Sequence, residues 1–200
     1  RISATSVVSL STRDTRMARS TSPSFTCEMP LRVTPADERQ LLVRLDCARQ
    51  VYNACLGECL KRLERMRASE PYQAAQRMPR QSAARQAAFR AANEQYGFRE
   101  YALHAYTVQF SHSWLGAHID SNTVQKLATR AFRAVQQYAF GKKGRPRFKG
   151  KGSFDSVESK SNKRGIIWRE QAVRWFGLEL PAIIDEKDAV IAHGLEQGLL

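Results

Sequence analysis

The chain has 200 residues and a formal net charge of +13, with 42% hydrophobic and 26% charged residues. That is an ordinary globular balance, enough for a real core in one or two domains. There is no run of about eighteen apolar residues, which excludes a transmembrane helix, and the serine-diluted start lacks the apolar centre of a signal peptide.

The charge is unevenly distributed. Residues 120 to 180 hold 14 Lys/Arg against 5 Asp/Glu. Residues 24 to 70 hold 8 against 7, and residues 181 to 200 hold 1 against 4. Focused positive charge of this kind fits a phosphate-binding surface better than general solubility.

Residues 1–23 are rich in Ser, Thr and Arg and aperiodic, and are expected to be a disordered leader. The first residue is Arg1, so a fragment or a foreign leader is expected. Ser24 to Val33 alternates in part and reads as a first strand, with Pro30 confining it to an edge or a bulge. Thr34-Pro35-Ala36-Asp37 is a helix opening: a cap, a proline in the first turn and an acid at the third position.

The helix that follows is long. Leu41, Leu45, Ala48, Tyr52, Cys55, Cys59 and Leu63 mark its core side, while Arg49, Lys61, Arg62 and Arg65 face elsewhere. Tyr52 reads as a core ring and Asn53 as a flank residue. The four cysteines, Cys27, Cys47, Cys55 and Cys59, form no C-x-x-C pair, and three share a helical face. Buried free thiols in a reducing, cytoplasmic compartment are expected, and no metal site.

Residues 71 to 117 are helical in tendency, with an Ala/Arg/Gln-rich stretch from Ser82 to Gln95. Phe98 to Trp114 suits either a helix or a packed irregular segment. His104, His112 and His118 are too widely spaced for a clear metal set.

Asp120 or Ser121 caps a second strongly patterned helix. Val124, Leu127, Ala128, Ala131, Val135 and Tyr138 fall on its buried face; Lys126, Arg130, Arg133 and Gln137 fall on another. Gly141 suits the stop, where a left-handed backbone is cheap only for glycine. Then come Lys142, Lys143, Arg145, Arg147, Lys149 and Lys151, six cations in ten residues with no acid among them. Gly144 and Pro146 put them on a loop leading into a strand. Such a loop gains most by meeting a polyanion and releasing its counterions. Phe148 lies amid these cations. An exposed ring there could stack on a base, but alternation with charges favours the inward side of a strand.

Beyond the loop, Ser153 to Ser159, Gly165 to Arg169 and Ala172 to Leu180 read as short strands of a small sheet or barrel. Pro181 ends the last strand, residues 185 to 188 form a turn, and the tail HGLEQGLL supplies no closing element. The acids of that turn read as solvated, not as a two-metal site.

The order of these features carries a resemblance. It runs through Thr34-Pro35 with Gln40-Leu41, Arg49 to Asn53, and Ser121 to Val135 with Gln125, Leu127, Ala131 and Phe132. It ends on Gly144-Arg145-Pro146-Arg147-Phe148-Lys149. Over about residues 24 to 195 the chain resembles the N-terminal half of TnpB (OrfB), the transposon-encoded RNA-guided DNA nucleases akin to type V CRISPR effectors. The resemblance implies an α+β fold: a helical bundle as a recognition-type insertion, residues 34–146, in an incomplete small antiparallel β-barrel, residues 24–33 and 147–200. It implies guide RNA and DNA as partners, with protein reading backbone geometry and a short flanking motif while base pairing reads the target. It makes Tyr52 and Asn53 candidates for contact with flanking DNA. Phosphate contacts would fall to Lys126, Arg130, Arg133, Lys142, Lys143, Arg145, Arg147, Lys149 and Lys151, with Phe148 beside them.

The family's RuvC-like carboxylates and zinc ribbon lie downstream of the matched region. No cleavage by this chain is therefore expected, and no catalytic residues or cofactor within it; magnesium and zinc would belong to the C-terminal part. A truncated product, or an incomplete stretch of a longer nuclease, is the expectation. Neither a membrane nor a small-molecule substrate is indicated. Two alternatives share the charge: a non-catalytic RNA-binding module and a helix-turn-helix DNA-binding regulator.

Overall fold

A computed structural model describes residues 28–185 and 187–198. The leader 1–23 and Cys27 lie outside the described residues, as does the first part of the expected strand.

Helix α1 spans Pro35–Ala68. Its start is the expected capping box: Thr34 Oγ1 accepts from the Asp37 N–H, and the Thr34 N–H donates to the Asp37 carboxylate. The bonds from Thr34 hold the Asp37 carboxyl below its ordinary range. Helices α2 (Glu70–Arg77), α3 (Ala83–Gln95), α4 (Glu100–Tyr106) and α5 (Val108–Ser111) follow, then a 3-10 turn at Trp114–Ala117. They return the chain to α6, Ser121–Ala139, which packs along α1.

The α1–α6 seam is the core. Val51, Cys55, Leu56, Cys59, Leu60 and Leu63 meet Leu127, Ala128, Ala131, Phe132 and Val135. Small residues on both sides let the two helix axes approach closely. Phe98 adds a ring against Phe132, with centroids 5.4 Å apart. The helices run parallel. At one end Arg67 Nη2 donates to the Ala139 carbonyl at 3.1 Å. At the other, Arg44 of α1 and Asp120 at the start of α6 both bond Trp175.

Trp175 belongs to a three-stranded antiparallel meander, β1 (Ile166–Arg169), β2 (Ala172–Trp175) and β3 (Leu178–Pro181). The fold is thus α+β, with an open sheet consistent with an incomplete barrel. The stretch read as one strand from Ala172 to Leu180 is in fact two. The turn at Phe176-Gly177 has both residues at positive φ (49° and 85°), as a two-residue hairpin of matching twist requires.

Two further expectations need correction. Among the described residues the first strand is a single bridge, Leu31 to Ala182, held by Arg32 N–H to Pro181 O and Ile183 N–H to Pro30 O, both 2.7 Å. Pro30 has no N–H to extend the ladder. Ser153 to Ser159 is no strand; Phe154, Ser156 and Glu158 meet Arg130 and Lys126 of α6 instead. The tail adds no strand to the sheet among the described residues; Asp188 caps a short helix there, α7, Ala189–Glu196, through the N–H groups of Val190 and Ile191.

Arg44 ties the sheet to the helices. It is buried, donates to the carbonyls of Trp175 and Phe176, and lies over both rings. Burial lowers its pKa from the ordinary value.

Candidate nucleic-acid interface

The basic segment begins where α6 stops. The Gly141 N–H donates to Tyr138 O at 3.0 Å, and the Lys142 N–H to Gln137 O at 2.9 Å. Gly141 stands at φ 68°. This is the paired closure that satisfies the last carbonyls of a helix, and it fixes the direction in which the basic loop departs.

From Lys142 the chain does not enter a strand. It lies as an extended strap along the outside of α1, running opposite to it. Arg145 pairs with Glu64 at 2.9 Å. The ring edge of Phe148 rests over Gly57, 3.6 Å from where a Cβ would stand. Lys149 is pegged by Asn53: its N–H donates to Asn53 Oδ1, and Asn53 Nδ2 donates to its carbonyl, both at 2.9 Å. Arg49 reaches the same carbonyl at 3.4 Å. The helix from residue 53 to 64 rises roughly 16 Å, and four extended residues span about 13 Å, so the two paths keep step.

The strap turns at Gly150 to Ser153 and crosses to α6. Phe154 is buried between the helices, 5.5 Å from the Tyr52 ring, with the Arg130 guanidinium 5.0 Å above it. Arg130 also donates to Ser156 O and Oγ, at 3.1 and 3.3 Å. Lys126 pairs with Glu158 at 3.4 Å, and Lys160 donates to Gln125 at 3.2 Å.

The twelve expected contact residues therefore divide. Lys142, Lys143, Arg147, Lys149 and Lys151 are exposed and make no ion pair among the described residues. Arg133 is likewise exposed and unpaired among them, one turn beyond Arg130. Arg145 is exposed but shared with Glu64. Phe148 is 59% exposed, against the inward placement that alternation favoured; the strap rests on a helix surface, so its residues have no sheet interior to enter.

Others do different work. Tyr52 is 5% exposed, so its candidacy as a flanking-DNA contact is corrected: it is a core ring against Phe154. Both polar atoms of Asn53 are engaged in pegging the strap. Lys126 and Arg130 hold the segment from Phe154 to Glu158 against α6.

Four residues that matter here were not marked by sequence pattern. Gly57 is a lone glycine inside a helix, a signal of close approach. Phe154 is the one aromatic residue in a polar stretch. Phe140, at the end of α6, is 69% exposed. Arg44 is a cation among apolar helix positions.

The three described thiols, Cys47, Cys55 and Cys59, are free and buried. Burial pushes Cys55 and Cys59 up to about 12, and raises Cys47 as well. His104 Nε2 lies 2.9 Å from Thr129 Oγ1, whose hydroxyl donates to Glu100; burial lowers the His104 pKa. Among the described residues no three His, Cys, Asp or Glu side chains group as a metal site. Nor is any described helix long and apolar enough to cross a membrane.

Comparisons with protein-family models, curated proteins and solved structures find no match for this chain.

Proposed function

We propose that this chain is the nucleic-acid-holding part of a TnpB-like RNA-guided nuclease, and that the strap from Lys142 to Lys151 grips a sugar-phosphate backbone. Binding, not cleavage, is the role assigned to these residues. The observation that carries this is the strap itself: five exposed cations, unpaired among the described residues, on a backbone fixed at both ends. A solvated run of like charges repels itself and gains nothing from being held in place. A fixed run loses less freedom when it meets phosphates, so it binds them more tightly. The motif Gly144-Arg145-Pro146-Arg147-Phe148-Lys149, after a helix of the matching pattern, is what directs the proposal to TnpB.

The helix-turn-helix alternative fits less well. A recognition helix must offer its side chains to the major groove. On α6, Lys126 and Arg130 are occupied by the segment running over them.

The test is partner preference. The purified chain should bind the RNA transcribed from its own transposon end far more tightly than random-sequence duplex DNA. Equal affinity for the two, or preference for a duplex operator, would reject the proposal.

A further inference from the structure

Resting on the nucleic-acid role proposed above, we infer that the strap binds unpaired nucleotides, with Phe140 and Phe148 as stacking platforms for their bases. These two rings are 69% and 59% exposed, and they bracket Lys142, Lys143, Arg145 and Arg147. An exposed phenyl ring is a standing loss of hydrophobic stabilisation. Two such rings flanking a cluster of cations match a ligand that offers flat π-faces and anions alternately. A single strand does so; in a duplex the base faces are stacked away inside.

The backbone that carries each ring is fixed. The Phe140 N–H donates to Gln136 O at 3.0 Å within the closure of α6. Phe148 is adjacent to Lys149, whose N–H and carbonyl are both bonded to Asn53. Its ring edge lies over Gly57 of α1, which has no side chain to cover it. Backbone, more than side-chain packing, sets where the rings stand, which leaves ring surface open at little ordering cost on binding. The same composition could suit an anionic membrane. However, the strap lies along α1 and does not project as a loop tip, which favours a strand laid lengthwise over insertion into a lipid surface.

The experiment uses the full chain and fluorescence anisotropy. The probes are short mixed-sequence single strands of RNA and of DNA, the matching duplex, an abasic strand, and phosphatidylserine vesicles. Phe140→Ala and Phe148→Ala should each weaken single-strand binding roughly ten-fold, with the salt slope unchanged and abasic-strand binding unaffected. Phe148→Tyr should restore affinity. The Phe140 ring is mostly in solvent, so its removal tests the inference without unfolding the chain; melting curves check both variants. Comparison of RNA with DNA tells which single strand is preferred. Wild-type affinity in both alanine variants, or duplex or abasic strands binding as well as base-bearing ones, would overturn the stacking role and leave phosphate binding standing. No binding to any strand would overturn both. Binding to vesicles in place of strands would assign the surface to a membrane.

Discussion

Asn53 holds Lys149 by both of its backbone groups, although the two stand 96 positions apart in the chain. One side-chain amide thus does for the strap what a neighbouring strand does in a ladder, and does it beside five cations that form no ion pair among the described residues. Asn53→Ala removes both bonds, a loss of about 1–2 kcal/mol at a site open to water. The local effect should exceed the global one. Hydrogen exchange at the Lys149 amide should accelerate sharply while the amides of the α1–α6 seam stay protected. Unchanged exchange at Lys149 would mean the peg is not what fixes the strap.

Gly57 gives a prediction whose sign is set by distance. A Cβ there would stand 3.6 Å from the Phe148 ring, an ordinary contact and not a clash. Gly57→Ala should therefore stabilise the chain by about 1 kcal/mol, through the helix propensity of alanine. A large side chain, as in Gly57→Ile, should displace the ring and weaken nucleic-acid binding. Destabilisation by the alanine would place the ring closer than described.

The α1–α6 seam can be tested at Leu127, which is fully buried. Leu127→Ala should cost about 2–5 kcal/mol, and Leu127→Asp should abolish folding, since an unpaired buried charge costs more. Circular dichroism and thermal melting decide; a native melt in the aspartate variant would contradict the packing.

Asp120 joins two parts of the fold. Its Oδ1 accepts from the N–H groups of Asn122 and Thr123, and its Oδ2 accepts from Thr123 Oγ1 and from Trp175 Nε1 at 3.0 Å. Asp120→Ala loses a cap, about 1 kcal/mol, and strands a buried indole donor, about 1–3 kcal/mol more. Asp120→Ser keeps a cap and should fall between the wild type and alanine in denaturant midpoint. A wild-type midpoint in the serine variant, which keeps a cap but cannot reach the indole, would show that the sheet does not depend on this bond.

Cys55 and Cys59 should resist iodoacetamide at neutral pH, because thiols pushed up to about 12 supply almost no thiolate there. The sign follows: a raised folded pKa favours the protonated native state, so stability attributable to these thiols declines as pH climbs above the ordinary thiol range. Site-resolved mass spectrometry should find both labelled only after denaturation. Labelling in the native state would place them outside the core.

What could be read from sequence was local. Thr34 with Asp37, and Asp120 with Gly141, announce helix ends because caps need particular residues at fixed offsets. The buried stripes of α1 and α6 follow from a 3.6-residue period. What escaped was non-local or hidden by a competing pattern. Nothing in the chain near Lys149 points to Asn53. The alternation from Arg145 to Lys151 looks like a strand, yet those residues lie on a helix, where an inward side does not exist. The hairpin at Phe176-Gly177 was masked by a phenylalanine at a positive φ, a position that residue seldom takes.

The central claim is that the strap's free cations hold phosphates, and the slope of log affinity against log salt measures it most directly. With Lys142, Lys143, Arg147, Lys149 and Lys151 replaced by glutamine and the fold intact, the slope for a single strand should fall by about 3.5 units, at roughly 0.7 per phosphate. An unchanged slope, with unchanged affinity, would contradict it.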